Sequence, residues 1–234
     1  MNNTNHRFEQ KAGGIAALVH AAAFAVSMAI GVTLMFPLLD AEPVRYLAFL
    51  TENQTLVYLW NLIAYWVSAI ALVLIVLALY ERLKSGAPAL MQTASVFGFI
   101  WAGLIIASGN LMLSNIGVVA GLFAKDPMQA VTVWSALDAV ENGITSGNEL
   151  VGSIWLLLTS VAVLRTGALG KGLGYFGIAL GIAGLVTLVP SLALPMAMTF
   201  GLGLIVWCIW LGVVLLRRRE MRGNIKTQPV PAAL

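Results

Sequence analysis

From residue 90 to residue 123 the chain carries no charged side chain. In lipid such a run has to be helical, because backbone N–H and C=O groups find no water there and must bond within the segment. About 20 residues of helix cross a hydrocarbon core of roughly 30 Å. Similar apolar runs cover residues 13–39, 56–80, 174–189 and 196–216, and one more ends at Leu164. A membrane barrel would show short alternating segments instead. Composition agrees: 60% of the 234 residues are apolar and 10% charged, where a soluble domain carries about a quarter charged residues. Mean hydropathy is +0.91. The sequence predicts an all-α fold, a polytopic bundle of six transmembrane helices.

Charge orients the bundle. Arg7 and Lys11 precede the first run, Arg82 and Lys84 follow the second, and Arg165 and Lys171 lie between the fourth and fifth. Arg217, Arg218, Arg219, Arg222 and Lys226 follow the sixth, which leaves only Arg45 and Lys125 for the opposite side. Lys and Arg accumulate in cytoplasmic segments, so both termini are expected in the cytoplasm of a bacterial inner-membrane protein. The acids Asp40, Glu42, Glu52, Asp126, Asp138, Glu141 and Glu149 fall on the outer side. Residues 1–12 then form a cytoplasmic tail, 13–216 the transmembrane domain, and 217–234 a basic, flexible cytoplasmic tail. A polybasic segment beside a membrane attracts anionic lipid head groups. The first apolar run is longer than a 7–15-residue signal core, so it is read as a retained helix.

Several chemistries lack their residues. The only histidines are His6 and His20, too few for a bis-histidine haem or a His-rich zinc site. No lysine lies inside a predicted helix to carry a Schiff base, and no ladder of arginines forms a voltage sensor. The single cysteine, Cys208, excludes an intrachain disulfide and a thiolate cluster. Gly172-Leu173-Gly174-Tyr175-Phe176-Gly177 matches G-x-G-x-x-G as a string. The dinucleotide fingerprint needs a preceding strand, whereas here it opens a membrane helix. Gly170, Gly174, Gly177, Gly181 and Gly184 instead have the spacing that lets helices approach closely in lipid. No catalytic residue, metal ligand or cofactor is expected.

The informative region is the polar start of the fourth helix. Only fourteen largely apolar residues lie between Val151 and Leu164, about 21 Å of helix. The membrane-spanning helix must therefore include Glu149, and with it Thr145. Asp138, Asn142, Thr145 and Glu149 fall on one helical face, with Glu141 beside them and Asn148 adjacent in sequence. Asn110 and Asn115 on the third helix, and Asn61 on the second, are expected at similar depth. Carboxylates with amide oxygens suit a hard cation, a protonated amine or proton transfer. Trp60, Trp101, Trp134 and Trp155 are candidates to line such a pocket. The competing explanation is that these polar groups hold helices in register. His20, inside the first helix, is either a buried polar contact or a proton-transfer group.

The stretch Gly147-Asn148-Glu149-Leu150-Val151-Gly152-Ser153-Ile154-Trp155, then Arg165-Thr166-Gly167-Ala168-Leu169 and the glycine-rich fifth helix, resembles bacterial DUF4386-type membrane proteins. The resemblance implies a six-helix bundle and, as the family's function is unknown, supplies no activity. Two non-enzymatic roles lead: an accessory subunit of a membrane complex, and a ligand-binding bundle with an outward-facing acidic pocket. A transporter or carrier of small molecules or ions is the alternative. An enzyme acting on lipid or quinone has the least support. The expected partners are the bilayer, other membrane subunits or a second copy, and anionic lipids at the basic tail, with no nucleic acid.

Overall fold

The computed structural model describes residues 3–39 and 42–217, with side chains from residue 9 onward except 35, 36 and 39. Within them the chain is helical and contains no strand. Helix α1 (Asn3–Ile30) passes through a π turn, Gly31–Met35, into α2 (Phe36–Leu39). That wide turn ends two residues before Pro37, which lacks an N–H and crowds the carbonyl one turn back. Next come α3 (Pro43–Glu52) and α4 (Gln54–Asn61), and a second π turn, Leu62–Val67, leads into α5 (Ser68–Leu83). Four further helices complete the described residues: α6 (Pro88–Phe123), α7 (Pro127–Thr166), α8 (Lys171–Val186) and α9 (Ala193–Arg217), the last entered through a 3-10 turn at Pro190–Leu192.

Local signals set the ends of the longest element. The Asp126 carboxylate accepts from the backbone N–H groups of Met128 and Gln129, each at 3.0 Å, and Pro127 occupies the first turn of α7. An acceptor before a proline is a strong helix start. At the other end Gly167 adopts φ 62° and its N–H bonds back to Val163, the left-handed stop that glycine makes without strain. Gly170, with φ 93°, then turns the chain into α8.

Five segments are long and apolar enough to cross a membrane: Glu9–Leu34, Gln54–Leu83, Pro88–Phe123, Pro127–Thr166 and Pro190–Arg217. The sixth bundle member, α8, has 16 residues, about 24 Å of helix against a core of roughly 30 Å. The helices pack in a closed cycle. α1 lies against α5, α5 against α6, α6 against α7, α7 against α8, α8 against α9, and α9 returns to α1.

Small residues allow the close contacts. A Cβ at Gly212 would lie 2.9 Å from the Gly14 carbonyl oxygen, and one at Gly174 would lie 2.7 Å from Leu164. Gly177 and Gly184 face Ser160 and Ser153 of α7. The regularly spaced glycines therefore meet a helix of their own chain. In the centre, Trp101 packs at a tilt against Trp155, 5.5 Å between ring centres, and Trp155 meets Trp207 edge-on at 5.8 Å. Cys208 is buried beside them as a free thiol.

The two ends of the bundle differ. At one end Gln10 bonds the Leu215 carbonyl and Gly86 abuts Thr166, so Lys11, Arg82, Arg165, Lys171 and Arg217 gather there. At the other, α6 and α7 extend together and α3 packs across them. A second apolar cluster forms there from Leu47, Leu50, Val57, Met112, Ile116, Val119, Ala130 and Trp134. Asp40 and the tail carrying Arg218, Arg219, Arg222 and Lys226 lie outside the described residues.

Candidate functional site

The polar residues converge where α6, α7 and the α4–α5 unit meet beneath α3. Asn61, fully buried at the end of α4, donates its amide N–H to the carbonyl of Gly109 at 3.0 Å. Asn148 on α7 donates to the Ser108 hydroxyl at 3.3 Å. The two amides thus reach α6 from different helices at consecutive residues. Nearly two turns farther along α6, buried Asn115 donates to the Glu141 carboxylate at 3.1 Å. Glu149 and Thr145 are half-buried on the same helix.

These bonds leave acceptors over. Asn61 Oδ1 and Asn148 Oδ1 are both buried with no donor among the described residues. The orientation of Asn61 is fixed by its partner, since a carbonyl only accepts and the amide nitrogen must face it. Its oxygen lies beside Gly109, 3.3 Å from where a Cβ would stand, and has no N–H or O–H donor among the described residues, which costs about 1–3 kcal/mol where nothing fills the gap.

Two tyrosines complete the region. The Tyr65 ring, in the π turn, packs where a Cβ on Gly109 would lie, and its hydroxyl is in electrostatic range of Glu141, Tyr46 and Glu149. Tyr46 on α3 packs against Trp134 at 5.7 Å. Burial, and then the charges of Asp138 and Glu141, push the Tyr46 phenol up to about 12. It is a neutral donor over the whole physiological range.

The sequence-level stripe divides. Asn142 is exposed and bonds Asp138 at 2.9 Å along its own helix. Asn110 is exposed on the far side of α6 and joins no part of the cluster. The face of α7 turned to α6 runs through Trp134, Glu141, Asn148 and Trp155, at seven-residue spacing. Trp101 and Trp155 belong to the central aromatic core, while Trp60 bonds the Ser27 carbonyl at 3.1 Å and meets Tyr65 edge-on. His20 is buried away from the cluster. Its Nδ1 lies 3.0 Å from both the carbonyl and the hydroxyl oxygen of Ser68, and its Nε2 has no partner among the described residues. Among the described residues no group of three or more His, Cys, Asp or Glu side chains is placed to hold a metal.

A family model described as a domain of unknown function, DUF4386, matches residues 12–217. The chain belongs to the DUF4386 family. No curated protein and no solved structure matches it. The DUF4386 match runs from the first turns of α1 to the last residue of α9, so it takes in the whole helical cycle and every residue of the polar cluster.

Proposed function

We propose that this DUF4386 protein is a non-enzymatic six-helix bundle of the bacterial inner membrane, both termini cytoplasmic, that binds a small cationic molecule in its polar cluster. The observation that carries this reading is Asn61 Oδ1, a fully buried acceptor without a donor among the described residues, in a cluster that also holds Glu141, Glu149 and a second spare amide oxygen. A set dominated by acceptors calls for a ligand that supplies N–H groups and positive charge, and a protonated amine supplies both.

Depth supports an opening toward the outside. About 24 Å of helix separates Arg165 from Glu149, and about 36 Å separates it from Glu141. With Arg165 at the inner surface of a core of roughly 30 Å, Glu149 falls inside the outer boundary and Glu141 beyond it. A ligand would meet Glu141 and Tyr46 first and reach Glu149, Asn148 and Asn61 below.

The test is native mass spectrometry of the full chain, extracted gently from its own membrane. The reading expects a reproducible small added mass that Glu149→Gln and Asn61→Leu abolish and Glu42→Gln, at an exposed position, preserves. An adduct that survives Glu149→Gln, or no adduct on the unsubstituted chain, overturns it.

The accessory role keeps one supporting observation. Gly103, Ala107, Asn110, Ser114, Gly117 and Gly121 form an exposed stripe on α6, and Asn110 offers an amide on that outer face. Small residues and a polar side chain are what helices use to associate in lipid. Extraction in complex with larger subunits, lost on Asn110→Leu, would favour this role.

A further inference from the structure

A groove of about 560 Å³ lies on the lipid-facing surface between α1 and α5 and reaches Val67 at the end of the π turn. Its floor is made by Ala16 and Ala71, both 4% exposed, and its walls by Ile15, Val19, Ile70 and Leu74. The small floor residues set the floor back between branched walls. At its end toward the middle of the bundle stand Val19 and Val67, the sequence neighbours of His20 and Ser68, whose contact ties the two helices together there. At its other end, the basic end of the bundle, stands one charged side chain, the exposed Lys11.

Length and charge identify the occupant. From Lys11 to Val19 the groove follows about 12 Å of helix, close to the roughly 15 Å that one leaflet contributes to the hydrocarbon core. Lys11 lies at the basic end of the bundle, where a long amine reaches the head-group layer while its stem stays along apolar surface. We propose that this groove holds one acyl chain of an anionic phospholipid whose phosphate pairs with the Lys11 ammonium. The hydrocarbon alone gives no preference, because the surrounding lipid is equally apolar. Selectivity comes from Lys11, and retention from the fit of the chain between the walls.

The test uses the full chain in nanodiscs of equal phosphatidylglycerol and phosphatidylcholine, released and weighed by native mass spectrometry. One retained phosphatidylglycerol is expected, favoured about fivefold over phosphatidylcholine, the preference that one basic residue confers at an anionic surface. Lys11→Gln should abolish the preference, Lys84→Gln outside the groove should keep it, and Ile70→Trp should expel the lipid. A photoreactive amino acid in place of Ile15 should crosslink to phosphatidylglycerol, which keeps the test independent of how Ile70→Trp folds. Preference that persists in Lys11→Gln overturns the proposal. So does a photoproduct that joins two copies of the chain.

Discussion

Asn115 on α6 donates its amide N–H to the carboxylate of Glu141 on α7 at 3.1 Å, and this bond joins the two longest helices where they extend past the rest of the bundle. A double-mutant cycle with Asn115→Leu and Glu141→Leu should therefore give a coupling of about 0.6 kcal/mol, the average for interhelical hydrogen bonds in a membrane protein, and at most about 1.7 kcal/mol. Reversible unfolding in mixed micelles measures it, and strictly additive single effects would mean that the bond contributes nothing.

Asn110 and Asn148 are both amides on neighbouring helices, yet only Asn148 enters the cluster. Asn148→Leu should reduce ligand retention at least tenfold, and Asn110→Leu should leave it unchanged. Equal losses would place the binding region elsewhere on α6.

Gly177 faces Ser160 and the indole nitrogen of Trp207, and an added Cβ would lie 2.8 Å from that nitrogen. Gly177→Val should separate α8 from α7 and α9 and destabilise the bundle by about 1–3 kcal/mol, the usual cost of overpacking. Gly143, with open space around it, should accept Ala without loss. Thermal unfolding in detergent compares the two.

Tyr46 sets a pH limit. Its phenol ionises at about 12 in the folded chain and near 10 in an unfolded one. The folded state thus resists losing this proton, so the stabilisation is complete below pH 10 and is lost as the pH rises from 10 to 12. Tyr46→Phe should flatten the alkaline part of a stability–pH curve in that window. An unchanged slope would mean that the ring is solvated.

Much of this arrangement is legible in the residues. Uncharged runs predict the helices, because lipid leaves the backbone no other partner. The alternation of basic and acidic segments predicts which helix ends meet at which end of the bundle. The rotation of α7 is harder to read. Asp138, Asn142, Thr145 and Glu149 share an arc, but the seam against α6 follows Trp134, Glu141, Asn148 and Trp155. Helices that wrap around one another hold a seven-residue seam that an ideal 3.6-residue turn drifts away from. Polarity alone does not say which flank of the arc turns inward. Asn110 sits nine residues from Trp101, half a turn around the helix, so its outward position follows once Trp101 is known to be central. Tyr46 and Tyr65 arrive from a short helix and a π turn, and neither has a local pattern that ties it to α7.

The π turn at Leu62–Val67 has a consequence for how this helix tolerates changes of length. A π turn carries one residue more than an α turn, so removing a single residue from it restores ordinary α geometry while the helices on either side keep their facing. Asn61 would still meet Gly109, and Ser68 would still meet His20. The same deletion anywhere within Ser68–Leu83 would swing everything before it by about 100° and turn Asn61 out of the bundle. Chains of this family that differ by one residue in this helix should differ at that turn, which acts as a splice point for length between two fixed contacts.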